Sequence, residues 1–319
     1  MSYLILIIGF VLLIKGADIF VDGAAKIAKK FGIPSIIVGL TIVSLGTSAP
    51  ELAVSLIASF EGNNGITIGN ILGSNIFNTL MVLGVTSIIM PIIIKKSTMI
   101  KDYIVNMVVS VVLLILTFGR VLLNKEAALT RVSGIILLIL CIIYTVYLIK
   151  SAKGRKEEEN PEEEEDIKIL NCIIKIILGI VGIIVGGNLV VSSASDIAYS
   201  FGLSDKLVGL TIVAVGTSLP ELVTTMIASI KGENDIAVGN VLGSNIFNIL
   251  LILGVSSSIN PIPISSELLI DILFLIAISI ILGIFMFKGK KDKLKLDKLE
   301  GLILILLYIG YMIYIILRN

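Results

Sequence analysis

The sequence predicts an all-α polytopic membrane protein with ten transmembrane helices arranged as two inverted five-helix repeats. Three observations predict this fold class. The 319 residues are 56% hydrophobic and only 15% charged, whereas soluble globular proteins carry about 25% charged residues. Long apolar segments follow one another along the whole chain, and its mean hydropathy is +1.07. The chain also repeats itself, with an odd number of apolar segments in each copy.

The internal repeat is dense enough to indicate a duplicated structural unit. Residues 31–90 align with residues 201–260 at a constant offset of 170 without a gap, and 35 of these 60 positions are identical. The match is weaker upstream, where Gly16 pairs with Gly186. The two copies are therefore expected to fold alike.

Polar breaks divide the chain into ten apolar segments, and a spanning helix needs about 20 apolar residues. The predicted helices cover residues 3–21, 33–60, 65–91, 103–119, 132–149, 168–192, 204–230, 235–260, 268–287 and 300–317. The first repeat is then 1–149 and the second is 168–319. Between them, 150–167 is rich in Lys and Glu and contains a proline, which is typical of a solvated linker.

The distribution of basic residues predicts the orientation in the membrane. Most Lys and Arg residues fall in the odd-numbered connections between helices, and the positive-inside rule places those connections in the cytoplasm. The charged linker is then cytoplasmic and both termini are extracellular, in a multi-pass protein of the cell membrane. Because five helices are an odd number, the second repeat enters from the opposite side, which is the architecture of many transporters with a site near the membrane midplane.

Several classes of function are excluded or left without support. The chain has no histidine, which excludes imidazole proton relays and histidine metal ligands. Cys141 and Cys172 have no metal-ligand or redox spacing and are interpreted as small core residues. No basic face points to nucleic acid, and no catalytic motif points to an intramembrane protease or another enzyme. No cofactor and no obligate protein partner are implied. Residues 3–21 lack the basic region of a signal peptide and are expected to stay as a helix.

Two glutamates carry the functional hypothesis. Glu51 and Glu221 are equivalent in the repeat and lie inside long apolar segments without a nearby Lys or Arg. A charged side chain in a membrane costs several kcal/mol and marks a functional site by default. Such a carboxylate holds either a proton or a bound cation. A protonated glutamate that only forms an interhelical hydrogen bond is the alternative without function.

Each glutamate follows a proline in the sequence Gly-Thr-Ser-x-Pro-Glu. Pro50 and Pro220 remove a main-chain hydrogen bond, so both helices are expected to break or kink there. In a membrane, freed carbonyls are tolerated where they line a cavity or bind an ion. Thr47 and Ser48 precede Glu51 by four and three residues, which would place them on its helical face.

The next helix of each copy carries a polar stripe at steps of four residues. In the first copy it comprises Asn70, Ser74 and Asn78, and in the second Asn240, Ser244 and Asn248. Interhelical hydrogen bonding is one explanation of the stripe, and a binding surface is the other. Glycines in the same helices are spaced for close helix packing. Together with the glutamates, these groups form an all-oxygen set that suits Ca²⁺ and also Na⁺.

The paired Gly-Thr-Ser-x-Pro-Glu and Gly-Ser-Asn-Ile-Phe-Asn motifs resemble the alpha repeats of the sodium/calcium exchanger family, in the cation/calcium antiporter superfamily. The resemblance covers the whole chain in topology and about 120 residues in motif. It implies that helices 2, 3, 7 and 8 form an ion-binding bundle, that helices 1 and 6 slide across it, and that sodium influx drives calcium extrusion. The transported Ca²⁺ and Na⁺ are then the ligands of the protein. The lipid bilayer surrounds it, and no nucleic acid or obligate protein partner is implied.

The resemblance also implies roles for individual residues. Glu51 and Glu221 match carboxylates that bind calcium and also serve the sodium sites. The positions matching hydroxyl and carbonyl ligands are Thr47, Thr217, Ser48, Ser74, Ser218 and Ser244, with Ser44 and Ala214 at positions that contribute main-chain carbonyls. Asn78 and Asn248 match the central polar pair. The second member is aspartate in the potassium-dependent branch, so Asn248 argues against potassium co-transport.

Three functions stay open from the residues alone. The favoured hypothesis is exchange of Na⁺ for Ca²⁺, because hydroxyls supply sodium ligands that a proton does not need. A Ca²⁺/H⁺ antiporter is the alternative, since two carboxylates can also load protons. A passive cation channel is less favoured, because a channel needs a continuous pore with several weak sites.

Overall fold

A computed structural model of the chain describes residues 2–121, 124, 126–154, 168–201, 214–287 and 293–318. The long helices are α1 (Ser2–Phe31), α2 (Ser35–Thr47), α3 (Ala49–Phe60), α4 (Gly65–Ile89), α5 (Lys96–Phe118), α6 (Arg131–Gly154), α7 (Ile169–Ser200), α8 (Leu219–Ile230), α9 (Asn234–Ile259), α10 (Glu267–Phe287) and α11 (Lys298–Arg318). A short helical turn covers Ala214–Gly216. The strands are β1 (Ile92–Lys95), β2 (Ala128–Leu129), β3 (Ile262–Pro263) and β4 (Lys293–Leu296).

The described residues confirm a helical, polytopic membrane protein. In the described part of the chain, eight single helices are long and apolar enough to cross a membrane, and the bent pair α2 and α3 also passes this test when its two parts are taken together. Of the predicted helix 204–230, only α8 and the short turn are described, because 202–213 lie outside the described residues. The count of ten therefore stays a prediction for that span. The charged linker 150–167 is described only to residue 154, where α6 ends.

Two small antiparallel sheets show that the repeats are inverted. β1 pairs with β4, and β2 pairs with β3. β1 and β3 are equivalent in the repeat, since Ile92 and Ile262 differ by the offset of 170. The two sheets nevertheless lie at opposite ends of α5, a helix of 23 residues that is about 35 Å long at 1.5 Å per residue. Equivalent elements at opposite ends are what the odd number of helices per repeat predicts.

The connections between helices sort into the two groups that the charge distribution predicts. The sheet of β1 and β4 joins the third and ninth connections, and the sheet of β2 and β3 joins the fourth and eighth. At the end of the molecule that holds β2 and β3, Asn260 Nδ2 also donates to the main-chain oxygen of Ser59 at 3.4 Å. Odd connections thus meet odd ones and even connections meet even ones. Which end faces the cytoplasm stays a prediction.

The turn that follows each glutamate-bearing helix is built the same way in both copies. After α3, Gly62 adopts φ +78° and Asn63 donates its main-chain N–H to the carbonyl of Ala58 at 2.8 Å. After α8, Gly232 adopts φ +83° in the same motif. A left-handed residue at this position ends a helix and satisfies its last carbonyls, and glycine adopts it without steric cost. The repeat therefore extends to local backbone geometry.

The centre of the molecule is α9, which lies among helices from both halves. In its most apolar stretch, 94% of the residues are buried, against 11% for α11. α9 crosses α2 at a pair of glycines, and a Cβ atom added to Gly239 would lie 3.0 Å from the Cα of Gly39. Near its other end α9 packs on α6, and the equivalent helix α4 packs on α11. The two halves therefore interlock.

The pair α1 and α7 packs antiparallel beside this bundle, through glycines on both helices. A Cβ atom on Gly16 would lie 2.7 Å from the main-chain nitrogen of Ile183, and one on Gly179 would lie 2.8 Å from the Cα of Phe20. The two main chains are thus nearly in contact. Cys172 is buried, as is Cys141 in α6, which confirms that both cysteines are core residues.

Candidate cation-binding site

The helix break predicted at the proline is present. α2 and α3 meet at an angle of 50°, and Ser48 between them has φ −82° and ψ 9°, outside the helical region. Pro50 lies in the first turn of α3, where its missing N–H costs no hydrogen bond. Glu51 in the same turn is completely buried. In the second copy Ser218 has φ −94° and ψ 5° before α8, so the same backbone geometry places the second glutamate.

The serine hydroxyls at these breaks cross to the carboxylate of the other repeat. Ser48 Oγ donates to Glu221 Oε1 at 2.8 Å, and Ser218 Oγ donates to Glu51 Oε1 at 3.2 Å. Both glutamates are fully buried and repel each other electrostatically. The inverted repeats therefore share one site, in which each carboxylate is held by both halves.

One serine of α4 and one of α9 also lie beside the two carboxylates. Ser244 Oγ lies 3.0 Å from Ser48 Oγ and 3.5 Å from Glu221 Oε1. Ser74 Oγ stands in the equivalent place, 3.0 Å from Ser218 Oγ and 3.4 Å from Glu51 Oε1. The structure thus brings all four sequence-predicted serines of this group against the two carboxylates.

The threonines take a different place from the one that helical periodicity predicts. Thr47 Oγ1 donates to Asn240 Oδ1 at 3.0 Å, and Thr217 Oγ1 donates to Asn70 Oδ1 at 3.4 Å. No hydrogen bond joins Thr47 and Glu51 among the contacts of the described residues. The break at Ser48 separates their helices, so the expectation of one shared helical face is wrong. The threonine hydroxyls instead join the two repeats.

Ser44 and Ala214 are the two positions at which main-chain carbonyls are expected to serve the site. The carbonyl of Ser44 accepts from the main-chain nitrogen of Ser48 at 3.0 Å and lies 3.3 Å from Thr47 Oγ1, while the Ser44 hydroxyl donates to the carbonyl of Leu40 at 2.8 Å. Ala214 begins the short helical turn before α8, and its side chain lies outside the described residues. Ser44 is therefore beside the site.

The two asparagines predicted as a central pair begin π-helical segments of α4 and α9. These segments are Asn78–Val82 and Asn248–Leu253, and π-helical turns are frequent at functional sites. Both side chains are fully buried. Asn78 Nδ2 donates to Asn245 Oδ1 at 3.3 Å, and Asn248 Nδ2 donates to Asn75 Oδ1 at 3.0 Å.

Four oxygen atoms of these residues have no hydrogen-bond partner among the described residues. They are Glu51 Oε2, Glu221 Oε2, Asn78 Oδ1 and Asn248 Oδ1. An unsatisfied buried acceptor costs about 1–3 kcal/mol, and here four of them occur as two symmetry-related pairs. All four are acceptors with no proton to give when the carboxylates are ionised. Such a set suits a hard cation.

The charge of the candidate site comes from the two glutamates. Among the described residues, no group of three or more Asp, Glu, Cys or His side chains lies together. The other buried carboxylates have partners elsewhere. Asp102 accepts from the hydroxyl of Tyr144 at 3.4 Å, and Asp271 accepts two bonds from Arg318 at 3.0 and 3.1 Å.

Sequence reasoning missed the second asparagine pair of the motif. Asn75 and Asn245 are both buried. The side chain of Asn75 accepts a hydrogen bond from Asn248, and the side chain of Asn245 accepts one from Asn78. They lie in the Gly-Ser-Asn-Ile-Phe-Asn motif, but a stripe drawn at steps of four residues passes over them. The spacing of three is the signal that could have identified them, because it also describes one helical face.

Known proteins are similar to this chain in sequence over nearly its whole length. The sequence model of the sodium/calcium exchanger protein family matches residues 1–150 and 172–317. The sodium/calcium exchanger MaX1 of Methanosarcina acetivorans is 34% identical over 98% of this chain and 97% of its own length. The putative antiporter CaxA of Alkalimonas amylolytica is 37% identical over 96% of this chain and 95% of its own length.

Solved structures give the same result. The sodium-calcium exchanger NCX_Mj, in crystals soaked with Na⁺ and Sr²⁺, has a TM-score of 0.83 and 32% sequence identity. The match covers 98% of this chain and 97% of the other. Sequence and fold therefore agree over nearly the full length of the chain, which belongs to the sodium/calcium exchanger family.

Proposed function

We propose that the protein is a secondary active antiporter that exchanges Na⁺ for Ca²⁺ at the site of Glu51 and Glu221. One observation carries the proposal: two pairs of repeat-equivalent acceptor oxygens, on Glu51 and Glu221 and on Asn78 and Asn248, are buried without a hydrogen-bond partner among the described residues. Family membership supports antiport of calcium against another cation, and the family is one of transporters rather than of enzymes. MaX1 and NCX_Mj carry sodium and calcium in their names.

The donor set accounts for two kinds of cargo. Two carboxylates balance the charge of one Ca²⁺, which takes 6 to 8 oxygen ligands in flexible geometry. Ser48, Ser74, Ser218 and Ser244 add hydroxyl oxygens beside each carboxylate, and these oxygens suit Na⁺. Since a proton needs no such ligands, the hydroxyls favour sodium over proton coupling. Asn248 in place of a carboxylate favours exchange without K⁺.

Calcium uptake into proteoliposomes tests the coupling ion. Vesicles loaded with Na⁺ and diluted into sodium-free buffer of the same pH are expected to accumulate radioactive calcium, with choline in place of K⁺ throughout. A protonophore should leave the uptake unchanged. Uptake that follows only a pH gradient would establish the Ca²⁺/H⁺ alternative. Uptake into vesicles that contain no exchangeable cation would instead show a channel.

We also propose that the odd-numbered connections are cytoplasmic and that both termini are extracellular, as the distribution of basic residues predicts. Both native cysteines are buried, so they give little background in thiol labelling. Glu61→Cys places a thiol at an exposed position directly after α3, and Lys30→Cys places one at an exposed position in the last turn of α1, before α2 begins. A membrane-impermeant maleimide is expected to label Glu61→Cys in intact cells and Lys30→Cys only after lysis. The reverse pattern would invert the topology.

A further inference from the structure

We propose that Asn75, Asn245 and Thr79 are positioning residues for the cation site. They fix the side-chain amides of Asn78 and Asn248 so that both amide oxygens, rather than both NH₂ groups, are left for the cation. An asparagine amide presents an acceptor on one side and two donor hydrogens on the other. A flipped amide would direct a positive dipole at the cation. This inference rests on the proposed function of the site.

The orientation of Asn248 follows from one main-chain carbonyl. Asn75 Nδ2 donates to the main-chain oxygen of Asn245 at 3.0 Å. A carbonyl oxygen only accepts hydrogen bonds, so the nitrogen of the Asn75 amide must face it. The oxygen of that amide is then free to accept from Asn248 Nδ2, at 3.0 Å. Asn248 Oδ1 is consequently left without a partner among the described residues.

The orientation of the Asn78 amide depends on the main-chain oxygen of Asn75, through the hydroxyl of Thr79. Thr79 Oγ1 donates its only hydrogen to the main-chain oxygen of Asn75 at 2.8 Å. Thr79 Oγ1 must therefore accept from Asn245 Nδ2, which lies 3.0 Å away. Asn245 Oδ1 then accepts from Asn78 Nδ2 at 3.3 Å. Asn78 Oδ1 is left unpaired in turn.

The two branches differ at one position, which makes them separable. The equivalent of Thr79 in the second repeat is Ile249, which has no hydroxyl. Asn75 Nδ2 donates directly to the main-chain oxygen of Asn245. Asn245 Nδ2 is instead linked to the main-chain oxygen of Asn75 through the hydroxyl of Thr79. Loss of the Thr79 hydroxyl should therefore release the amides of Asn245 and Asn78 and leave the Asn248 branch in place. Because Thr79 makes its two polar contacts with Asn75 and Asn245, it acts on the cation through other residues.

Thr79→Val removes the hydroxyl at constant shape and tests this inference. We expect the KM for Ca²⁺ in exchange, and the Kd in calorimetric titration of the purified protein, to rise about 10-fold or more, as for other residues that orient metal ligands. The maximal exchange rate should change much less. Thr79→Ser keeps the hydroxyl and should restore the affinity of the unmodified protein.

Thr86→Val is the matched control. Thr86 is also buried in α4, and its hydroxyl has no partner among the described residues, so its loss should leave both constants unchanged. A Thr79→Val protein with the calcium affinity of Thr86→Val, or a Thr79→Ser protein as weak as Thr79→Val, would overturn the positioning role. Failure of the unmodified protein to exchange Na⁺ for Ca²⁺ would instead count against the proposed function, and the titration would still test the positioning role.

Discussion

Glu51→Gln and Glu221→Gln are each expected to abolish calcium exchange, with a loss of at least about 100-fold. The physical reason is charge: a neutral carboxamide cannot balance a divalent ion in a buried site, where uncompensated charge costs several kcal/mol. Both carboxylates are fully buried, so water cannot substitute for the missing charge. Because each carboxylate accepts hydrogen bonds from both repeats, neither variant is expected to be milder than the other.

The measurement is sodium-driven calcium uptake, together with calorimetric titration of calcium into the purified variants. Glu61→Gln is the control, because it removes a carboxylate that is exposed at the end of α3 and should exchange normally. Full exchange by either Glu51→Gln or Glu221→Gln would refute the assignment of the site. Loss of exchange with unchanged calcium binding would place that glutamate in the transport cycle but outside the calcium ligands.

Gly243→Val is expected to abolish exchange by separating α2 from α9. A Cβ atom at Gly243 would lie 2.6 Å from Ser44 Oγ and 2.7 Å from the main-chain oxygen of Leu40. Overpacking of this kind typically costs 1–3 kcal/mol. Here α2 ends directly before Ser48 and α9 carries Ser244, and the hydroxyls of these two serines lie 3.0 Å from each other. The site should lose its geometry even where the protein still folds.

Thermal stability and calcium uptake of the same preparation separate folding from function in this variant. Gly310→Ala in α11 is the control, since no atom of the described residues lies within 4 Å of its added Cβ. That substitution should leave both quantities unchanged. A Gly243→Val protein with normal uptake would show that the close crossing of α2 and α9 is not needed for the site.

The sequence was sufficient for the features that repeat and for those that proline dictates. The offset of 170 predicted two equivalent breaks, and both occur at the serine two residues before the proline, Ser48 and Ser218. The odd number of helices predicted the inversion that the two sheets show. These features depend on local backbone chemistry and on counting, so one sequence is enough to predict them.

The contacts within the site could not be predicted in the same way. Periodicity relates residues of one continuous helix, and it placed Thr47 beside Glu51. In the folded chain the break turns Thr47 toward Asn240, and Ser48 binds a carboxylate 173 positions away. Which hydroxyl meets which carboxylate depends on how the inverted halves interlock, and no local pattern encodes that. For the same reason the sequence did not reveal the roles of Asn75 and Asn245.

The two sheets have a consequence for biosynthesis. β1 lies in the first half of the chain, yet its partner β4 directly precedes the last helix, α11. β1 therefore leaves the ribosome unpaired and can complete its sheet only after β4 has been synthesised. Helices of the first half also wait for α9 and α11 before they are covered. The first repeat therefore completes its packing only together with the second, and a nascent chain that stops before β4 has an unpaired edge on β1.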